Sequence, residues 1–243
     1  MGFEFARGLA ARGYDLLLVS NQEEQLASAS AALSAEFPVQ VRTLFQDLAQ
    51  PKAADDLYFR CTSEGILPDV LVNDAGMFFF KELEVADLDK VQAMLDLHVN
   101  TVTRMCLLFG SAMKERGNGY ILNVSSMAAR LPVPGITVYS ASKAYLRTFG
   151  RSLSYELKPY GVGMTTVCPA AIATPLYKLD PKWMKVGVRI GLIRTPQWLV
   201  RRALRAMYHG RRVLSPAFMN LWLPALIAAL PGPLVARLWE RFK

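Results

Sequence analysis

Tyr139 and Lys143 stand four residues apart in the stretch Tyr-Ser-Ala-Ser-Lys. In a helix this spacing puts both side chains on one face, with their Cβ atoms about 6 Å apart. An ammonium so close to a phenol favours the phenolate and lowers the pKa of the phenol from its ordinary value of about 10. Tyr139 is therefore a candidate general acid or base near neutral pH.

A Tyr-Lys pair at this spacing is weak evidence by itself, because it also arises by chance on surface helices. The surrounding motifs strengthen it. Ser126 follows the apolar run that ends in Asn123-Val-Ser-Ser, and Thr174 lies in the Cys-Pro-Ala-Ala-Ile-Ala-Thr stretch after another run. Both would project into the same cleft as Tyr139 if these runs are neighbouring strands.

Strand-like and helix-like segments alternate along the first 175 residues. Short buried runs, typical of strands covered on both faces, are predicted at 15–20, 39–45, 69–73, 119–124, 162–167 and, as a final short strand, 211–214. Helices are predicted at 22–36, 51–64, 87–116 and 137–158. The pattern predicts an α/β fold, a Rossmann-like doubly wound parallel sheet with a C-terminal helical extension. We place the boundary between the two parts at residues 180 and 181.

Composition excludes several classes of protein. Hydrophobic residues make up 52% of the 243 residues, which argues against disorder. Three widely spaced cysteines favour buried thiols in a reducing, cytoplasmic compartment, and with two histidines we find no metal-site spacing. We interpret His98 as a helix residue packed near the cleft.

The order and spacing of these motifs resemble those of the short-chain dehydrogenase/reductase family from residue 2 to about 176. Within that family, the chain resembles the 3-oxoacyl and hydroxysteroid reductases. The resemblance implies reversible hydride transfer between a nicotinamide cofactor and a hydrophobic carbonyl or alcohol. Tyr139 resembles the catalytic acid/base and Lys143 the residue that lowers its pKa and holds the nicotinamide ribose. Ser126 resembles the residue that positions the substrate oxygen, and Asn100 the anchor of a proton-relay water.

The resemblance also assigns a cofactor-binding set. These residues are Gly2, Asn21, Asp47, Asn73, Ala75, Gly76, Tyr139, Lys143, Pro169, Ile172 and Thr174. Two positions depart from the family pattern, Asp74 for a second asparagine and Ala170 for a glycine, and neither is a catalytic group. NADP is favoured over NAD, because Ser20-Asn21-Gln22 offers no carboxylate to hold a ribose 2′-hydroxyl.

The last quarter of the chain is strongly basic. Residues 180–243 hold 12 Lys/Arg against 2 Asp/Glu, whereas residues 1–179 hold 16 against 18. The apolar stretch 217–230 is shorter than the ~20 residues of a membrane span and contains Pro224. Three interpretations remain open: packing over the substrate pocket, peripheral membrane contact through 195–243, or a dimer interface. Nucleic-acid binding fits poorly, because Trp and Leu are interleaved with the basic residues.

The opening residues, Met-Gly-Phe-Glu-Phe-Ala-Arg-Gly, predict a helix that runs directly into the strand at 15–20. In the family this helix follows a first strand and a glycine-rich turn that receives the pyrophosphate, and Gly2 aligns with the last glycine of that turn. We therefore expect that strand, central in the order 3-2-1-4-5-6, to be missing here and to lie about 10–20 residues upstream.

Two functional hypotheses follow. The first is an NAD(P)-dependent reductase or dehydrogenase acting on a small hydrophobic substrate, such as a 3-oxoacyl thioester or a steroid, and forming a homo-oligomer. The second is a catalytically silent, membrane-associated nucleotide-fold protein that serves as a binding or scaffold module. The intact Ser126, Tyr139 and Lys143 set favours the first hypothesis.

Overall fold

The computed structural model describes residues 1–174, 176, 180–216 and 219–242. Its strands coincide with the short apolar runs of the sequence. They are β1 (Leu16–Ser20), β2 (Val41–Phe45), β3 (Val70–Asn73), β4 (Gly119–Val124), β5 (Val162–Val167) and β6 (Val213–Leu214). The predicted segment 211–214 therefore contributes a shorter last strand than expected.

Helices connect and follow these strands. They are α1 (Gly2–Ala10), α2 (Glu23–Glu36), α3 (Ala53–Ser63), α4 (Leu88–Leu95), α5 (Val102–Arg116), α6 (Thr137–Leu157), α7 (Pro181–Arg189), α8 (Pro196–Tyr208), α9 (Met219–Ala228) and α10 (Gly232–Phe242). The predicted single helix at 87–116 is instead interrupted. A π-helical segment, Asp96–Thr101, separates α4 from α5, and such wide turns re-aim the side chains that they carry.

All strand pairs are parallel, as predicted for helices that alternate with strands. β1 pairs with β2, and β3, β4, β5 and β6 pair in that order. Across the described residues, the facing edges of β1 and β3 pair with no strand. Both of these edges line one cavity.

Two apolar layers cover the sheet. Leu122 and Val124 of β4 pack with α1 and α8 on one face, while Ile121 packs with α3, α5 and α6 on the other. Successive side chains of a strand point to opposite faces, so a continuous apolar run serves both layers. The layers hold the carboxyl ends of β3, β4 and β5 together at one edge.

The C-terminal helices return to this edge. α9 packs against Met127–Arg130, and the Trp239 ring of α10 meets the Phe80 ring edge-on with centroids 6.0 Å apart. Gly135 lies beneath them with φ of 81°, and a Cβ there would come within 2.9 Å of Trp239 and 2.8 Å of Phe80. The described part of the tail therefore packs on its own domain, while residues 217 and 218 of the predicted apolar stretch lie outside the described residues.

Candidate active site

Tyr139 is the third residue of α6 and is 5% exposed. The Phe78 ring meets it edge-on with centroids 4.9 Å apart, and the His98 ring lies at 5.9 Å. Met94 and Ala128 complete its buried surroundings. The phenol therefore sits in an apolar pocket from which bulk water is largely excluded, a setting that strengthens any charge interaction made there.

Lys143 lies one turn further along α6 and is also buried. Its Nζ donates to the carbonyl of Val124 at 3.0 Å and lies 5.8 Å from the centroid of the Tyr139 ring. Burial lowers the pKa of Lys143 to about 8, while the nearby Asp74 carboxyl opposes the shift. The ammonium thus persists at neutral pH and lies on the same face of α6 as the Tyr139 ring, as the four-residue spacing predicted.

Ser126 follows β4 and is buried. Its Oγ accepts a hydrogen bond from the backbone N–H of Ala128 at 3.1 Å and caps the turn Met127–Arg130. The hydroxyl of the preceding Ser125 donates to the carbonyl of Lys143 at 2.7 Å. Ser125 therefore ties the end of β4 to the helix that carries Tyr139, while Ser126 holds the turn that follows the strand.

Asn100 is not brought to this site. Its side chain is exposed, and its Nδ2 donates to Oδ1 of Asp96 at 2.6 Å. The physical reason is the π-helical segment, in which His98, two residues earlier, faces inward. The expected anchor of a proton relay is corrected accordingly: His98, not Asn100, occupies the interior.

His98 was interpreted from the sequence only as a packed helix residue. Its Nε2 accepts a hydrogen bond from the backbone N–H of Met77 at 3.0 Å, and its Nδ1 lies 3.0 Å from Ser142 Oγ. Burial, reinforced by the charge of Lys143, lowers the pKa of His98 to about 2. The sequence signal was slight, a single histidine between Leu97 and Val99, because the inward turn depends on the π-helical geometry.

The predicted cofactor residues surround a single cavity of about 1890 Å³. All eleven line it: Gly2, Asn21, Asp47, Asn73, Ala75, Gly76, Tyr139, Lys143, Pro169, Ile172 and Thr174. This volume exceeds the roughly 300–1,000 Å³ of a pocket for a drug-sized ligand, and the facing edges of β1 and β3 contribute to it. Parallel-sheet topology explains the gathering, because all of these residues except Gly2, Tyr139 and Lys143 lie at or just after the carboxyl ends of strands.

At one end of the cavity, Asp47 organises the turn after β2. Its carboxylate accepts hydrogen bonds from the backbone N–H of Ala49 at 3.0 Å and from the Asn21 amide at 3.4 Å. Asn73, the last residue of β3, donates to Oδ1 of the buried Asn123 at 2.8 Å. Asn123 was not predicted as a site residue, and it locks the ends of β3 and β4 together.

Two features of the cavity lining suit a polar ligand such as a nicotinamide dinucleotide. A Cβ at Gly76 would come within 3.1 Å of His98 Nε2, so a glycine lets the chain run close to this imidazole, and Lys143 Nζ lies at ordinary contact distance, 3.7 Å from that Cβ position. Within the described residues, buried Oδ1 of Asp74 has no hydrogen-bond partner. Asp74 lines the cavity, and burial raises its pKa, so this oxygen is available to a ligand.

Comparison with known proteins agrees with this geometry. A family profile described as short chain dehydrogenase matches residues 1–185. A very-long-chain 3-oxoacyl-CoA reductase of Bos taurus is 32% identical over an alignment of 250 residues that covers 100% of this chain and 74% of that protein. Its counterpart in Mus musculus is 35% identical, and the alignment covers 74% of this chain and 58% of that protein.

Solved structures share the fold at lower identity. A 7beta-hydroxysteroid dehydrogenase is 21% identical with a TM-score of 0.84, covering 97% of this chain and 91% of that one. A short-chain dehydrogenase from Sphingobium yanoikuyae in complex with NADPH is 24% identical with a TM-score of 0.78, covering 95% and 92%. The predicted Rossmann-like α/β fold is thereby confirmed.

Proposed function

Because this chain belongs to the short-chain dehydrogenase family, we propose that it is an NAD(P)-dependent oxidoreductase acting on a hydrophobic carbonyl or alcohol, with a 3-oxoacyl thioester as the favoured substrate. One observation carries the proposal. The buried Tyr139 and Lys143 pair lies at the same cavity as the full predicted set of cofactor residues. A proton donor beside a dinucleotide cleft is what carbonyl reduction requires.

The cofactor, when bound, supplies the hydride for reduction or accepts it for oxidation. Tyr139 gives a proton to the substrate oxygen during reduction and takes it back in the reverse direction. Ser126 shares that oxygen and stabilises the charge that develops on it. Lys143 would hold the nicotinamide ribose, and its ammonium, 5.8 Å from the ring centroid, favours the ionised phenol.

An apolar substrate suits the surroundings of Tyr139. Phe78, Phe79 and Ile136 pack about its buried neighbours, and the Phe80–Trp239 contact lies across the same loop region. The relatives named above are 3-oxoacyl-CoA reductases, and this chain spans 58–74% of their length. Support for the thioester therefore combines an apolar pocket with the chemistry named for the relatives.

NADP is the proposed cofactor, with NAD as the second choice. Ser20 ends β1 and Asn21 and Gln22 follow it without a carboxylate, so nothing in that turn repels a 2′-phosphate. The bound NADPH in the Sphingobium yanoikuyae enzyme is in line with this choice.

We further propose that the protein is cytoplasmic and touches a membrane peripherally through residues 195–243. No single helix among the described residues is long and apolar enough to cross a membrane, although Trp222–Ala228 and Gly232–Arg241, bent by 99°, would together reach that length and composition. Trp222 and Leu226 are exposed on α9, and Leu234 and Leu238 on α10. Exposed apolar groups beside Arg237 and Arg241 suit the interface of an anionic bilayer.

A homo-oligomer is proposed on a different surface. Leu107 of α5 is exposed, and Tyr145 of the adjacent α6 is partly exposed where its hydroxyl bonds to Thr103 at 2.8 Å. The sedimentation velocity of the full chain tests this proposal, and a monomer at all concentrations would contradict it.

The test of the proposed function is NADPH oxidation by the full chain against a panel of 3-oxoacyl thioesters and ketosteroids. We expect turnover with at least one member and faster turnover with NADPH than with NADH. The silent-scaffold hypothesis, which nothing in the family match supports, predicts neither turnover nor nucleotide affinity. That pair of results would overturn the enzyme proposal.

A further inference from the structure

His98 connects the two halves of the site by hydrogen bonds that leave its ring a single arrangement. The backbone N–H of Met77 donates to Nε2, so that nitrogen carries no proton. The hydroxyl of Ser142 donates its single hydrogen to the carbonyl of Tyr139 at 2.8 Å, so Ser142 Oγ can only accept a hydrogen bond from His98 Nδ1. The ring is therefore neutral and protonated at Nδ1.

This connection has two distinct ends. Met77 follows Gly76 on the cofactor side of the cavity, and Ser142 lies between Tyr139 and Lys143 on the catalytic helix. The His98 ring fills the space between them, completely buried. The inference below rests on the proposed function, since it assigns a role within that reaction.

We propose that His98 is a positioning residue: as a permanently neutral Nδ1–H imidazole, it bridges the Met77 amide to Ser142 and so fixes Tyr139 and Lys143 relative to the bound cofactor. It does not itself exchange protons with the substrate. The π-helical segment Asp96–Thr101 serves this bridge by turning residue 98 inward. A π-bulge at a functional site is a recurrent use of that geometry.

The charged and titratable groups around the ring favour the neutral form. Lys143 on α6 repels a second positive charge, and the phenol of Tyr139 meets the ring edge-on. Asp74, after β3, lies close enough to Lys143 to raise that lysine's pKa. Protonation at Nε2 would also break the bond from Met77 N–H, so burial, charge and hydrogen bonding act in the same direction.

A set of substitutions separates the two ends of the bridge. His98→Asn retains a polar atom near the position of Nδ1 and can still reach Ser142, whereas His98→Gln places one near Nε2 and can still accept from Met77. His98→Phe fills the space and makes neither bond. We expect kcat to fall about 10- to 100-fold in His98→Phe, because displacing a catalytic group by up to about 1 Å has an effect of this size. In His98→Asn and His98→Gln, which each keep one of the two hydrogen bonds, kcat should recover in part.

Ser142→Ala has a matched control in Ser154→Ala. Ser154 is buried on the same helix, and its hydroxyl likewise donates to the carbonyl three residues earlier, at 2.6 Å from Arg151 O. We expect a lower kcat only in Ser142→Ala. Equal kcat values for these two variants, or wild-type kcat in His98→Phe, would overturn the proposal.

A spectroscopic readout stands apart from activity, so its result is distinguishable from failure of the proposed function. The chain has two histidines, and His209→Gln leaves His98 as the single imidazole. We expect its ¹⁵N signals to show a protonated Nδ1 and no titration between pH 5 and pH 9, as a pKa of about 2 implies. A protonated Nε2, or titration with a midpoint near 6.5, would contradict the proposed bridge even in a protein with no turnover.

Discussion

Gly150 of α6 lies directly against Thr166 of β5, and a Cβ added to this glycine would overlap Thr166 Oγ1. The helix that carries Tyr139 and Lys143 can approach the sheet this closely because position 150 has no side chain. The hydroxyl of Thr166 is buried there, without a hydrogen-bond partner in the described residues. The contact between Gly150 and Thr166, two helical turns after Lys143, therefore sets the distance between α6 and the sheet.

Gly150→Ala is expected to destabilise the fold by about 1–3 kcal/mol, because the methyl group must push α6 away from β5. Denaturant unfolding of the full chain measures the loss. Gly232→Ala is the control, since Gly232 begins α10 and has no atom within 4 Å of an added Cβ. Equal stability of the two variants would show that α6 can shift without cost.

Tyr139→Phe is expected to lower kcat by about 10²–10⁴-fold, the usual contribution of a general acid or base. Nucleotide affinity should stay nearly unchanged, because the ring and its contacts with Phe78 and His98 remain. NADPH oxidation and nucleotide titration measure the two quantities. Tyr155→Phe, an exposed tyrosine on the same helix, serves as the control. Retention of most activity in Tyr139→Phe would refute the assignment.

Lys143→Met should stabilise the cofactor-free chain at neutral pH while weakening nucleotide binding. The lysine has a pKa of about 8 in the folded protein against 10.5 as its ordinary value. Between these pH values the unfolded chain holds a proton that the folded protein has released, so the free energy of unfolding of the wild type rises with pH, by about 3 kcal/mol in all. The advantage of Lys143→Met over wild type should therefore disappear between pH 8 and pH 10.5.

Urea unfolding across that pH range checks the prediction for Lys143. Lys158→Met, which changes an exposed lysine just beyond α6, is the control for the replacement of a lysine by methionine. A Lys143→Met advantage that did not change with pH would contradict the lowered pKa.

His98→Asn should change how the free energy of unfolding depends on pH below pH 6.5. The pKa of the wild-type imidazole is about 2 in the folded protein, whereas its ordinary value is 6.5. Below pH 6.5 the unfolded chain therefore binds a proton at this residue and the folded protein does not. The free energy of unfolding of the wild type therefore falls with acidity, by about 2 kcal/mol at pH 5 from this group. The difference between wild type and His98→Asn should shrink by that amount between pH 7.5 and pH 5.

Membrane contact is tested by co-sedimentation with phosphatidylcholine vesicles, with and without phosphatidylserine. Trp222→Ser combined with Leu226→Ser should weaken binding to both, because each removes apolar area from the interface. Arg237→Glu combined with Arg241→Glu should weaken binding by at least about tenfold, and only where phosphatidylserine is present, since each basic residue contributes about 1 kcal/mol there.

Phe59→Ser is the matched control for the vesicle experiment, because Phe59 is 74% exposed but lies on α3. If Phe59→Ser weakened binding as much as the α9 pair, the contact would not be specific to residues 195–243. Wild-type protein left in the supernatant with both vesicles would reject membrane contact altogether.

The sequence alone determined the positions of the strands and the common helical face of Tyr139 and Lys143. Apolar runs of five or six residues, as at 119–124 and 162–167, predicted strands to within two residues, because burial on both faces leaves a local signature. The four-residue spacing of Tyr139 and Lys143 likewise fixed their common face, since helical geometry depends only on separation along the chain. Sheet topology then brought the predicted cofactor residues to one cavity.

Tertiary structure alone decided the rest. Which residue between 96 and 101 faces inward depends on a π-helical turn, and a shift of two residues exchanged Asn100 for His98. The neutrality of that imidazole depends on Met77 and Ser142, which lie 21 and 44 residues away in sequence. Local spacing fixes the direction of a side chain within a regular helix, whereas its burial, partners and protonation are set by segments distant in the chain, which no local pattern records.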